Sequence, residues 1–167
     1  MIISDSSPLI HLAKIGWLTL LNKLFKRVII PKSVFEEVVI KGEEKGYFDA
    51  KIIRKATEEW IEIRGLNKEE LEELNALLKI SPMGSAEGEA MTLAKSMKLP
   101  LLIDDTTDQE IAKSLNIETY WTTSVILRAY YEQLITKQDA KKIIEDLINS
   151  GLRVKADVIV KLIKILE

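Results

Sequence analysis

Cysteine is absent from the 167 residues. That excludes disulfides, thiolate metal sites and a cysteine nucleophile, and it fits a reducing, cytoplasmic setting. Histidine occurs once, as His11. A serine–histidine–aspartate triad would have to use it, and no G-x-S-x-G elbow accompanies it. Placed among apolar residues in "LIHLAKIG", His11 reads as a packing residue. Glycine is scarce, with 7 residues. Neither G-x-x-x-x-G-K nor G-x-G-x-x-G occurs, so no glycine-rich phosphate loop is encoded. Aromatic residues make up only 6% and are scattered. No apolar run reaches the roughly 18 residues of a membrane span. "MIISDSSPLI" lacks the basic flank and long apolar run of a signal peptide. A net charge of −2 argues against a broad basic face for duplex DNA. It leaves room for an acidic site that holds cations.

What is present is a chain that is 47% apolar and 30% charged, the composition of a globular domain with one sizeable core. No internal repeat, low-complexity segment or linker divides it, so residues 1–167 read as a single domain. "MIIS" is a short buried strand. Ser6 or Ser7 then reads as a helix N-cap, with Pro8 near the first helical position. "RVII" is the next strand, and "PKSVFEEVVIKG" a helix that stops near Gly42. "WIEIRG" and "IETYW" read as further strands, and "PLLIDD" as a buried strand ending in two aspartates. "NKEELEELNALLK", "EGEAMTLAKSMKL", "TTDQEIAKSLN" and "TTSVILRAYYEQL" are helices. Two more, at about 137–150 and 155–166, flank Gly151. Strands alternating with helices predict an α/β fold with a parallel sheet covered on both faces.

In such sheets, sites form beyond the carboxyl ends of the strands. Asp5 follows the first strand. Asp104 and Asp105 end "PLLIDD", and Asp108 opens the next helix. Glu36 and Glu37 lie just after the second strand, Glu87 and Glu89 at the start of the helix preceding "PLLIDD". Each has a structural alternative: Asp5 and the aspartate pair as helix caps, Glu36 and Glu37 as a solvated helix face, Glu87 and Glu89 as first-turn acids favoured by the helix dipole. Their joint placement at strand ends favours a site. Two unit charges 4 Å apart repel by about 4 kcal/mol at an effective dielectric near 20. Clustered carboxylates therefore shift their pKa values or hold a cation. All-oxygen ligands select a hard ion, Mg²⁺ or Mn²⁺, suited to hydrolysis of a phosphodiester.

Four stretches, "ISDSSPLIHLAKIGWLTLL", "VIIPKSVFEEVV", "AEGEAMTLAKSMKLPLLIDD" and "TTSVILRAYYEQL", together resemble PIN-domain proteins, more narrowly the prokaryotic group DUF3368. The likeness spans nearly the whole chain. It implies a three-layer α/β/α sandwich with a mostly parallel sheet of about five strands. Residues from about 136 to 167 would form an extra C-terminal helical extension packed on it. It also implies a metal-dependent endoribonuclease acting on single-stranded or structured RNA, often the toxin of a toxin–antitoxin pair.

By that resemblance Asp5 is the first metal ligand, and P-x-x-V-x-x-E-V puts the second acid at Glu37, with Glu36 as the alternative. Glu87 is the third, with Glu89 adjacent. The strand-ending acid is Asp104 or Asp105, with Asp108 as a further ligand. Ser6, Ser7 and Thr122 support them. The chain departs from the group at Trp121 and Ser124, where glycine is frequent, and Trp121 at the rim would narrow the site or stack on a base. Surplus apolar residues in the C-terminal helices suit a homodimer or an antitoxin. Two other readings remain: a catalytically inactive module that binds an antitoxin or RNA, and a phosphotransfer protein. The latter lacks the Asp-x-Asp of dehalogenase-type phosphatases, because Ser7 stands at the second position.

Overall fold

The computed structural model describes residues 1–167. Apolar runs form five short strands: β1 (Ile2–Ser4), β2 (Val28–Pro31), β3 (Ile61–Arg64), β4 (Leu101–Leu102) and β5 (Thr119–Tyr120). They pair in the order β3-β2-β1-β4-β5, and every neighbouring pair is parallel. Successive side chains of a strand face opposite sides of the sheet. Ile2, Val28, Ile30 and Leu102 accordingly enter one core of 29 residues. Their neighbours Ile3, Ile29, Leu101 and Ile103 enter a second of 11.

Helices cover both faces. The larger core receives α1 (Ser6–Lys14), α2 (Thr19–Phe25), α5 (Phe48–Thr57), α9 (Thr122–Tyr131), α10 (Lys137–Asn149) and α11 (Ala156–Ile165). It also receives Val34, Val38 and Val39 from a continuous helical stretch, α3 (Lys32–Phe35), a π-helical turn (Glu36–Ile40) and α4 (Lys41–Glu44). The smaller core lies under α6 (Lys68–Ile80), α7 (Ser85–Met97) and α8 (Thr106–Ser114). The result is the three-layer sandwich of five strands, parallel throughout. Ala140, Ile143, Leu147, Leu152, Leu162 and Leu166 tie the last two helices into the larger core. No helix is long and apolar enough to cross a membrane.

Two local expectations change. The N-cap of α1 is Asp5, not Ser6 or Ser7, and its carboxylate makes no cap hydrogen bond. Pro8 is the third helical residue, within the first turn, where no backbone donor is needed. Gly42 does not stop its helix. It is buried within it, and a Cβ there would lie 2.8 Å from the Ala50 Cβ, so the missing side chain permits close packing on α5. The turn comes at Gly46, whose φ of +74° favours glycine.

The chain builds β1, β2 and β3 outward in one direction, then returns to place β4 and β5 on the other side of β1. The strand order therefore reverses between β1 and β4. A crevice opens at such a switch point beyond the carboxyl ends of the strands.

Candidate active site at the switch point

β1 and β4 deliver their following residues to that crevice. Asp5 comes directly after β1, and its N–H donates to the Leu102 carbonyl (3.0 Å), which fixes the backbone beside β4. Asp104 comes two residues after β4. Asp5, Ser7, Glu87, Asp104, Asp105 and Asp108 line one hollow of about 310 Å³, together with His11 and Arg153. Glu87 also borders a larger trough of about 880 Å³, whose walls hold Glu36, Glu37 and Glu89. The predicted acids thus fall into two adjoining depressions.

Each carboxylate has a distinct environment. Asp104 is held by Thr122, whose N–H donates to Oδ1 (2.8 Å) and whose hydroxyl donates to Oδ2 (2.7 Å). Asp105 caps α8, accepting from the Asp108 N–H (3.0 Å), so its structural role is real. Glu37 accepts a 2.7 Å hydrogen bond from Ser6, the residue next to Asp5. Glu89 is occupied by the Ser33 hydroxyl (2.7 Å) and lines the trough but not the hollow. Glu36 likewise lines only the trough. Glu87 folds back over the start of α7, where a Cβ at Gly84 would collide with its carboxylate.

Asp5 stands apart. Its side chain is buried, and Oδ1 has no hydrogen-bond partner. Burial, reinforced by repulsion from Glu87, Glu37 and Asp108, outweighs the favourable pull of the neighbouring Ser6 N–H and pushes its carboxyl up to about 7. Burial, then Asp105 and Glu87, pushes Asp108 up to about 6. Burial also raises Asp104, against the two Thr122 hydrogen bonds. As the side chains stand, no three of these acids close around a single point.

The site also holds residues that sequence reasoning placed elsewhere. His11 lines the hollow, with Nδ1 2.8 Å from the Ser150 hydroxyl. That hydroxyl already donates to the Leu147 carbonyl (2.7 Å), so it accepts from Nδ1–H. Burial, with Lys14 nearby, lowers the His11 pKa and favours the neutral ring. Gly151, Leu152 and Arg153 of the α10–α11 connection form another wall. The spacing of apolar residues in α10 and α11 signalled packing, but nothing local signalled that their connection reaches the acids.

A doubly wound α/β domain with an oxygen-rich acidic crevice at its switch point is the class these features define. The chain belongs to the PIN-domain family DUF3368, whose model matches residues 1–167. PIN domains are generally nucleases. The structure is similar to that of a PilT N-terminus domain protein from the hyperthermophilic archaeon Sulfolobus solfataricus P2. The two share a TM-score of 0.54 over 77% of this chain and 93% of that one, at 16% identity, a likeness of fold. No curated protein matches the sequence.

Proposed function

We propose that the protein is a divalent-cation-dependent endoribonuclease acting on single-stranded RNA. One observation carries the reading: a buried carboxylate oxygen of Asp5 without a partner, in a hollow shared with Glu87, Asp104, Asp105 and Asp108. A buried unpaired acceptor is costly unless something fills its place. The donor set is all oxygen, which suits Mg²⁺ or Mn²⁺. Asp5, Glu87 and Asp104 would hold the ion, with Asp105, Asp108 or Glu37 as further ligands. When bound, such an ion supplies positive charge for the scissile phosphate and lowers the pKa of the attacking water.

The chain's own residues do the rest. Thr122 holds Asp104 in one orientation. Ser6 holds Glu37 beside β1. Neutral His11 offers an acceptor at the wall. The hollow lies between the large trough, reached past Glu87, and a second groove, reached past Asp104 and Arg153. A strand can therefore continue on both sides of the acids, which supports cleavage within a chain over trimming of its end.

The test is a circular single-stranded RNA, which only an internal cut can open. Opening is expected with Mg²⁺ or Mn²⁺ and is expected to disappear with EDTA or with Asp5→Asn. The loss should exceed the roughly 100-fold that removal of an outer supporting partner costs. Cleavage that survives both treatments would sink the mechanism. Exposed Ile148, Val160, Ile163 and Ile165 on the last two helices support a protein contact as well, by a second copy or by an antitoxin. Only the antitoxin contact would fit a toxin acting in the cytoplasm.

A further inference from the structure

The groove beyond Asp104 differs in character from the hollow. It measures about 400 Å³ and runs between the start of α9 and the face of α11. Asp104, Leu152 and Arg153 line both depressions, so the two are continuous. Along the groove stand Arg153, Lys155 and Lys161. Arg153 and Lys155 make no ion pair, and Lys161 has only a loose exposed one, 4.0 Å from Asp157. Asp104 and Asp157 are the acids on its walls. Trp121 lines it as well. Of the three tryptophans, Trp17 and Trp60 pack against the larger core, whereas Trp121 packs against neither core. Its half-buried ring lines the groove instead.

Uncommitted cations beside an unoccupied indole are the two elements of single-strand nucleic-acid recognition, phosphate neutralisation and base stacking. A neutral protein segment would use the apolar floor but leave the three cations unpaired, whereas a nucleic-acid strand uses the cations and the indole face together. We propose that this groove binds the nucleotides flanking the scissile bond of a single-stranded RNA, stacking one base on Trp121 and neutralising backbone phosphates with Arg153, Lys155 and Lys161. The C-terminal extension is then a substrate-gripping wall, supplied by residues outside the acidic set. The assignment rests on the ribonuclease reading and adds to it where the substrate lies.

Fluorescence anisotropy of a labelled single-stranded RNA on the Asp5→Asn protein with Mg²⁺ measures the groove without cleavage. Replacing Arg153, Lys155 and Lys161 together by alanine should weaken binding and flatten its logarithmic salt dependence by about 2, given about 0.7 per phosphate contact on single strands. The three side chains are exposed, so the fold should survive. Trp121→Ala should weaken binding about tenfold with the salt slope intact, and Trp121→Phe should restore most of it. Removing three exposed lysines elsewhere, Lys68, Lys79 and Lys113, is the charge control. An unchanged affinity and slope in the groove variants, with RNA still cleaved by the unaltered chain, overturns the groove and leaves the ribonuclease standing. RNA neither bound nor cleaved by the unaltered chain overturns both readings.

Discussion

Asp5 and Glu70 are both buried carboxylates, 7% and 4% exposed, the first at the end of β1 and the second in the first turn of α6. Glu70 closes a capping box at the start of α6, accepting from the Asn67 N–H (2.8 Å). It also accepts from the Ser96 hydroxyl (2.7 Å) and from Arg64 (3.1 Å). Burial alone would push its carboxyl up, but Asn67, Ser96 and Arg64 outweigh it and hold the group below the ordinary glutamate range. Asp5 meets three other acids instead, and one of its oxygens meets nothing. Two carboxylates with little exposed surface thus behave oppositely, because Asp5 lies deep among other acids and Glu70 lies among donors. Glu70 stabilises the fold, whereas Asp5 is held in place at the expense of stability, as groups in functional sites often are.

The strongest way to break this comparison is to remove each carboxylate and compare signs. A carboxyl held at about 7 rather than near 4 costs the metal-free folded protein up to about 4 kcal/mol above pH 7. Asp5→Asn should therefore raise metal-free stability by several kcal/mol at pH 8. Glu70→Ala should lower it by about 2 kcal/mol, since it strands a helix-start N–H and a serine hydroxyl. Urea unfolding in EDTA measures both. A loss on Asp5→Asn would mean that Asp5 is a structural cap after all.

pH sharpens the same contrast. Below about pH 4, Asp5 is protonated in both folded and unfolded chains and carries no penalty. As pH rises, the unfolded chain releases its proton first, so metal-free stability falls progressively until about pH 7. Asp108, pushed up to about 6, adds a smaller effect of the same sign over the lower part of that range. Glu70 works the other way: its contribution is present above the ordinary glutamate range and is lost on acidification below it. Unfolding curves from pH 3 to 8 should show a decline between about pH 4 and 7 that Asp5→Asn flattens and that Glu70→Ala leaves in place above the ordinary glutamate range. Mn²⁺ binding at pH 6 should release close to one proton, measurable by calorimetry in buffers of different ionisation enthalpy.

The Asp5 side of this contrast was legible in the sequence, for identifiable reasons. Strands such as "MIIS" and "PLLIDD" are continuous apolar runs because both faces are buried, and their ends locate Asp5 and Asp104. The alternation of strands and helices predicts the parallel sheet. What was hidden depends on contacts between distant segments. Ser6 looks like a cap in sequence, yet its hydroxyl serves Glu37, 31 residues away. Gly42 looks like a stop, yet it makes room for Ala50. His11 and Ser150 meet across 139 residues, so only the folded chain reveals that α1 and the end of α10 share a wall of the hollow. Local patterns report periodicity and capping; they carry no information about which side chain a distant loop will face.

The subtlest test concerns Asp104, intermediate between the two extremes. It is raised by burial like Asp5, yet both of its oxygens are satisfied by Thr122. Thr122 is fully buried, so valine fits its space and removes only the hydroxyl, leaving the backbone N–H in place. If Asp104 is oriented for a cation, Thr122→Val should weaken Mn²⁺ binding about tenfold, the scale of losing an outer partner of a metal ligand. It should change stability by only about 1 kcal/mol. Thr122→Ser keeps the hydroxyl and should retain affinity. Calorimetric titration with Mn²⁺ separates these outcomes. Equal affinities in Thr122, valine and serine proteins would mean that the hydroxyl merely satisfies a buried acid, placing Asp104 with Glu70 and leaving Asp5 as the only unsatisfied carboxylate of the pair of central strands.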